Sequence, residues 1–221
     1  MQEPQLADAI AQLFDAFTPP EGLKAAQLGM VESLRTAWQN DPGMSALENE
    51  CVGLIDVMVK ATTPLLDEYF VTELELRKKL FLEMYSKHFT RTQAMEAAAF
   101  YNTDVGQKLV NGVLGNFRLD NTLQAILEDP DLDAEIDADD MKRDQLAAGQ
   151  LAAASLTAQE QAEIVRVFAR ADWRRALSAA AAEFQPASVE LANSDFAPEI
   201  DARMDIVIEE AMTTHLQACG Y

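Results

Sequence analysis

Apolar side chains recur at intervals of three and four residues along most of the chain, and this spacing is typical of amphipathic helices. One face of the first segment carries Leu6, Ala9, Ile10, Leu13, Phe14 and Phe17. The proline pair at 19–20 should end that helix. Runs of β-branched and aromatic residues typical of strands do not occur, and hydrophobic residues make up 49% of the 221 positions, enough for a buried core. We therefore predict an all-α fold, a multi-helix bundle.

The same spacing predicts where later helices begin and end. A second helix is expected from about Glu21 to Trp38, and the DPGMS segment at 41–45 should separate it from the next one. Helical spacing resumes at 51–59, and Pro64 should then kink the helix or restart it. A further long helix is expected over residues 66–88.

Two helix starts are marked by capping boxes. In a capping box a threonine hydroxyl accepts a hydrogen bond from a backbone N–H of the first turn, and the side chain three positions later accepts one from the backbone N–H of the threonine. The boxes are T-R-T-Q at 90–93 and T-A-Q-E at 157–160. The flanking sequences also align at the offset of 67 residues between the boxes, and Tyr101 then falls on Phe168. After a one-residue insertion, PDLDAEID at 130 lies over PEIDARMD at 198. The alignment indicates an internal duplication.

The duplication suggests a division of the chain into three sections. We predict an N-terminal helical section at residues 1–70, a first helical repeat at 71–140 and a diverged second repeat at 141–221. The second copy lacks the aromatic pair, the glycine and the glutamine of the first. We expect the three sections to pack as one unit.

The acidic run DPDLDAEIDADD, residues 129–140, has two interpretations. The first interpretation is a calcium-binding loop, whose ligands lie at positions one, three, five, seven, nine and twelve. In this run those positions are Asp129, Asp131, Asp133, Glu135, Asp137 and Asp140. However, position six is Ala134 rather than glycine, and Pro130 lies inside the supposed loop. We favour a helix start with Asp129 as N-cap and Pro130 as the first helical residue, because the helix dipole stabilises acids in the first turn.

Charge and hydropathy argue against two classes of partner. The 37 acidic and 17 basic residues give a net charge of −20, which opposes nucleic-acid binding because that binding requires cations to neutralise phosphates. No stretch reaches the roughly 18 uncharged apolar residues that a membrane span needs. The first residues, MQEPQLADA, lack the basic and apolar regions of a signal peptide, so we expect that any export signal has been removed.

Residues 85–110, YSKHFTRTQAMEAAAFYNTDVGQKLV, resemble a family of exported bacterial proteins that is classed only as a domain of unknown function. The family pattern is F-T-x-x-[EQ], then an aromatic pair F-Y, then S-P-x-G-Q-K. The matching positions are Phe89, Thr90, Gln93, Phe100, Tyr101, Gly106, Gln107 and Lys108. The sequence N-T-D replaces the family's x-S-P, although Thr103 can still cap the following helix. The resemblance implies a helical bundle in an exported protein, periplasmic or secreted, and implies no catalytic residues.

The motif supplies the predicted ligand-binding residues, which are Phe100, Tyr101, Gly106, Gln107 and Lys108. Gly106 lies about one turn into a helix, where glycine costs about 1 kcal/mol relative to alanine. Two arrangements would offset the cost of glycine at this position. One is close approach of another helix, such as the one that bears Phe100 and Tyr101, and the other is a gap that faces a ligand.

The chain has two cysteines, Cys51 and Cys219. In an exported protein they would form one disulfide, and otherwise they would be separate thiols with Cys51 buried as a small apolar residue. His215 and Cys219 are four residues apart on one helix face, but no third ligand lies near them in sequence. We therefore predict no metal site, no cofactor and no catalytic residue.

These features favour a non-enzymatic envelope protein that binds a protein partner or an apolar small molecule in a helical groove, because aromatic and methionine-rich helix faces occur without a catalytic constellation. A homodimer formed through one of those faces is a variant of this hypothesis. The alternatives are a hydrolytic enzyme with a site of dispersed carboxylates and a purely structural helical repeat protein. Carboxyl groups with raised pKa values that converge in one cleft would distinguish the enzyme.

Overall fold

The computed structural model describes residues 3–128 and 135–221. In these ranges the chain forms α1 (Glu3–Phe17), α2 (Pro20–Asn40), α3 (Pro42–Glu50), α4 (Leu54–His88), α5 (Arg91–Tyr101), α6 (Asp104–Asn116), α7 (Asp120–Glu128), α8 (Ala138–Ser155), α9 (Ala158–Arg170), α10 (Trp173–Ala192) and α11 (Pro198–Cys219). The prediction of an all-α, multi-helix bundle is confirmed. Within the described ranges, no helix combines the length and apolar character needed to cross a membrane.

Local sequence signals explain many of the helix ends. Prolines stand in the first turn of α2, α3 and α11, where no intrahelical N–H bond is lost. Both predicted capping boxes are confirmed, because the box threonine accepts from the third backbone N–H at 3.3 Å in α5 and in α9. The return bonds from the threonine N–H to Gln93 and Glu160 measure 3.0 and 2.9 Å. Thr103 caps α6 as predicted.

Helix α4 is the long central element, against which α1, α2, α10 and α11 pack. It continues through Pro64, so the helix does not restart there, and the alternative of a kink remains a prediction. Its buried stripe runs on both sides of the proline, with Val59 before it and Leu65 after it, and this burial outweighs the lost hydrogen bond. The predicted boundary between residues 70 and 71 lies inside α4, and the division into sections remains a prediction.

The main core lies where α1 and α10 pack against the second half of α4 and α5 packs against α1 and α10. Its buried aromatic side chains are Phe14, Phe81, Tyr85, Phe89, Phe100, Tyr101 and Trp173. Phe81 and Tyr85 stack at a centroid distance of 3.6 Å, and Phe14 meets Phe81 edge-on at 5.3 Å. Such pairs stabilise a core by roughly 1 kcal/mol each beyond their buried area.

A buried carboxylate joins α8 to the start of α7. Asp144 is 4% exposed and accepts four hydrogen bonds. Its Oδ1 accepts from the backbone N and Nδ2 of Asn121 at 3.1 and 2.7 Å. Its Oδ2 accepts from the backbone N and Oγ1 of Thr122 at 3.1 and 2.7 Å. The negative charge also faces the positive end of the α7 dipole, so Asp144 holds α7 and α8 together.

The acidic run is only partly within the described ranges. The proposed helix start at Asp129 and Pro130, and the first three calcium positions, lie outside them. Beyond that gap, Asp137 caps α8 by accepting from the backbone N of Asp139 at 2.7 Å, and Asp139 and Asp140 stand in the first turn. The aligned PEIDARMD segment begins α11 at Pro198. The duplication itself remains a prediction.

Candidate functional site

A half-open cavity of about 390 Å³ lies between α2, α4, α6 and α8. We call it the apolar cavity, because its wall is formed mainly by Leu23, Ala26, Met30, Phe70, Leu74, Val113, Leu114, Phe117, Leu119, Ile136, Met141 and Ala192. Its polar lining consists of Thr18, Tyr69, Glu73, Arg77 and Gln145. Small-molecule sites in proteins typically have this size and this mixture of apolar walls with a few polar groups.

Two glycines explain why α2 comes so close to α6 beside the apolar cavity. Gly22 and Gly29 are buried on α2. A Cβ atom added to Gly22 would lie 2.6 Å from Cδ1 of Leu114, and one added to Gly29 would lie 2.6 Å from the backbone oxygen of Phe117. Glycine is therefore required at position 29, where backbone blocks a Cβ atom, whereas at position 22 the side chain of Leu114 would have to shift.

Hydrogen bonds fix two further parts of the wall. Ser33 Oγ accepts from the backbone N of Leu119 at 3.1 Å and donates to Asp120 at 2.9 Å, which ties the connection between α6 and α7 to α2. The Asn193 side chain accepts from the backbone N of Ile136 at 2.7 Å and donates to its carbonyl at 3.1 Å. These bonds hold the apolar side chains of Leu119 and Ile136 in position, so the cavity wall is preorganised.

The two charged side chains that line the apolar cavity, Arg77 and Glu73, neutralise each other. Arg77 donates from Nε and Nη2 to one oxygen of Glu73 at 2.8 and 2.7 Å, and the two side chains are 27% and 14% exposed. Burial, and then the negative charge of Glu73, raises the pKa of Tyr69 to about 12. The Tyr69 hydroxyl is therefore neutral at physiological pH, and the polar wall presents hydrogen-bonding groups without net charge.

A second cavity of about 300 Å³ adjoins the first. We call it the side cavity; its aromatic wall consists of Phe14, Phe17, Phe81, Tyr85 and Phe184. Thr18, Leu74 and Arg77 line both cavities, so the two cavities share part of their walls.

The five residues singled out by sequence lie together at the junction of α5 and α6. Phe100 and Tyr101 are 7% and 5% exposed and pack on Trp173, each at a ring-centroid distance of 5.9 Å. A Cβ atom on Gly106 would lie 2.7 Å from Cα of Tyr101. The expected close helix approach at Gly106 is thus confirmed.

The two polar members of that set also have partners within the fold. Gln107 donates to the carbonyl of Tyr101 at 2.8 Å, and the exposed Lys108 pairs with Glu160 of α9. None of the five residues lines the apolar cavity. Ligand binding by the five remains a prediction.

Sequence reasoning did not identify the lining of the apolar cavity. Leu23, Met30, Phe70 and Leu114 occupy apolar positions of amphipathic helices, as core residues do. Nothing in the helical spacing separates an apolar side chain that fills a core from one that borders a gap. A local signal for the close helix contact beside the cavity is the pair Gly22 and Gly29 on α2.

A second group of reactive side chains lies at the other end of α4. Cys51 and Cys219 form a disulfide with a Cα–Cα distance of 5.8 Å, which resolves the alternative left open by the sequence. It joins residues 168 positions apart, and closing such a loop stabilises the fold by roughly 5 kcal/mol in the chain-entropy treatment. A ring nitrogen of His215 and the two sulfurs all lie within 4.8 Å of one another.

Over residues 78–112 the chain matches the model of a family described as "Uncharacterized protein conserved in bacteria (DUF2059)". The matched segment covers the end of α4, all of α5 and most of α6, and it contains the junction of α5 and α6 described above. An uncharacterised bacterial family thus fits the resemblance predicted from the sequence. Comparisons with curated proteins and with solved structures give no significant match.

Proposed function

We propose that the protein is a non-enzymatic, exported binding protein that holds an uncharged and mainly apolar small molecule in the apolar cavity. The observation that carries the proposal is the cavity itself, with about 390 Å³ of space bordered by apolar side chains and one compensated polar wall. An apolar ligand bound there would remove the apolar side chains of the wall from solvent and add dispersion contacts to them.

The charge distribution supports an uncharged ligand. Arg77 is already paired with Glu73, so it offers no free positive charge to an anion. The net charge of −20 also repels anions from the whole surface. A neutral molecule with one hydroxyl, carbonyl or ether group next to Tyr69 fits the polar wall, and its apolar part extends towards the side cavity.

The disulfide supports export to an oxidising compartment. Disulfides persist in the periplasm and outside the cell, whereas cytosolic proteins are kept reduced. A bond between Cys51 and Cys219 is therefore favoured in a periplasmic or secreted protein and disfavoured in the cytosol.

The positions of the carboxyl groups give weaker support to the hydrolase hypothesis. A raised carboxyl pKa occurs at Asp201, caused by partial burial and then by the charges of Asp195 and Asp205, but this residue is exposed and does not line the apolar cavity. The deeply buried Asp144 accepts four structural hydrogen bonds. Neither Asp201 nor Asp144 lines the apolar cavity, so we favour binding over hydrolysis.

Titration of the purified, disulfide-bonded protein with the neutral apolar dye N-phenyl-1-naphthylamine tests the proposal. We expect saturable binding with a stoichiometry of one. Val113→Phe places a larger side chain in the apolar cavity and should weaken the affinity at least tenfold. Val71→Phe is the matched control, because Val71 is 58% exposed and lies outside the cavity.

Equal affinities for the wild type and Val113→Phe, with an unchanged circular dichroism spectrum, would refute the apolar cavity as the binding site. Non-saturable dye binding, or equal weakening by the Val71→Phe control, would do the same. Turnover of a bound ester or amide by the wild type would instead favour the hydrolase.

A further inference from the structure

The group formed by Cys51, His215 and Cys219 has the composition of a metal site. His215 and Cys219 stand one turn apart on α11, and the packing of α11 on α4 brings Cys51 to them. Two sulfurs and one imidazole nitrogen are ligands typical of zinc, which binds sulfur at about 2.3 Å and nitrogen at about 2.0–2.1 Å. The ligand atoms of one tetrahedral ion are roughly 3.5–4 Å apart, so the two sulfurs would move apart from their bonded positions after reduction, whereas the His215 nitrogen already lies within 4.8 Å of both.

A backbone contact fixes the position and the tautomer of the histidine ring. Nε2 of His215 lies 3.2 Å from the carbonyl oxygen of Val52. Because a carbonyl oxygen only accepts, Nε2 carries the proton, and the lone pair of the neutral ring is then on Nδ1. Histidine ligands in metal sites characteristically donate their second N–H to a carbonyl or carboxylate in this way.

The turn that carries Cys51 is held by contacts other than the disulfide. The carboxylate of Glu48 accepts from the backbone N of Gly53 at 2.8 Å and of Ile55 at 2.9 Å. Cys51 donates its backbone N–H to Leu47 at 2.8 Å. Cutting the disulfide therefore leaves the thiol of Cys51 near α11, while Cys219 is exposed and gives an ion access.

We propose that Cys51, His215 and Cys219 form a three-ligand site for Zn²⁺ when the disulfide is reduced. A dithiol reductant supplies two electrons and two protons to the disulfide and is itself oxidised to a cyclic disulfide. Zn²⁺ then displaces one proton from each thiol, and both protons pass to solvent. Two thiolates neutralise the charge of the ion, water takes the fourth position, and oxidation of the thiols abolishes the site.

Cobalt titration of the intact chain tests this site, because Co²⁺ replaces Zn²⁺ and absorbs through its thiolate bonds. The protein is reduced with dithiothreitol, which is removed by gel filtration under argon. We expect one Co²⁺ per chain with a thiolate charge-transfer band, displaced by Zn²⁺, and no such band for the disulfide form. Zn²⁺ should also raise the melting temperature of the reduced chain only.

His215→Gln decides whether the histidine is a ligand. Glutamine keeps a donor for the Val52 carbonyl but lacks the imidazole lone pair, so we expect the affinity to fall at least tenfold with helicity retained. His88→Gln is the matched control, because His88 pairs with Glu183 at 2.8 Å, away from the cysteines. Equal cobalt affinity in the wild type and His215→Gln, or absence of the band in the reduced wild type, would overturn the proposal.

Discussion

Replacing Asp144 by alanine is expected to destabilise the fold strongly, since this one side chain satisfies four donors. Thr122 is 2% exposed, so its N–H and hydroxyl would lose their acceptor in a buried setting, at a cost of roughly 1–3 kcal/mol for each group. Asn121 is exposed, and water replaces the acceptor there. The loss of the charge at the start of α7 adds about 0.5 kcal/mol. We expect Asp144→Ala to lower the free energy of unfolding by roughly 2.5–6.5 kcal/mol.

Urea denaturation at neutral pH, followed by far-ultraviolet circular dichroism, measures this loss. Asp139→Ala is the control, because Asp139 is an exposed acid in the first turn of the same helix and should change the free energy of unfolding by about 1 kcal/mol or less. If Asp144→Ala is no less stable than Asp139→Ala, then α7 is not held to α8 by this carboxylate.

Two further predictions concern the junction of α5, α6 and α9. Gly106→Ala should lower the free energy of unfolding by about 1–3 kcal/mol because backbone atoms block the new Cβ atom. Gly149→Ala is the control, because no atom lies within 4 Å of its new Cβ, and it should raise the free energy of unfolding by about 0.5–1 kcal/mol. Equal effects of the two substitutions in urea denaturation would contradict the close helix approach at Gly106. The hydrogen bond from Lys108, and then those with Thr157, lower the pKa of Glu160 from 4.5 to about 2. Its stabilisation is therefore complete above pH 4.5 and lost as pH falls towards 2, so Glu160→Gln should be less stable than the wild type at pH 7 but not at pH 2. A stability difference that does not depend on pH would contradict the pairing.

Sequence-local signals predicted the helices well because their causes are themselves local. A capping box involves four consecutive residues, so Thr90 and Thr157 identify two helix starts without knowledge of the fold. The continuity of α4 through Pro64 has a cause that is not local. A proline disfavours a helix locally, but the burial of Val59 and Leu65 on either side depends on which helices pack against α4.

Features that depend on packing were beyond sequence reasoning. The two cysteines are adjacent only because α11 packs along α4, so the sequence left both a disulfide and free thiols possible. The same packing brings Cys51, which is far away in sequence, next to His215. For Phe100 and Tyr101, helical spacing predicts an apolar face but does not decide between core packing and a groove, and the structure places both rings in the core.

The apolar cavity and the cysteine group are physically separate, although α4 and α11 contribute to the surroundings of both. Tyr69 lies about 22 Å along the axis of α4 from its first residue, which follows the Cys51 turn. Near the cavity, Phe196 packs on Tyr69 at a ring-centroid distance of 4.7 Å, and the exposed Arg203–Glu68 pair adds little stability. Because the disulfide joins α11 at its last residue, Cys219, we expect reduction to affect that end of the helix and to leave the contact of Phe196 with Tyr69 in place. Dye binding and cobalt binding therefore test independent proposals, and failure of one leaves the other standing.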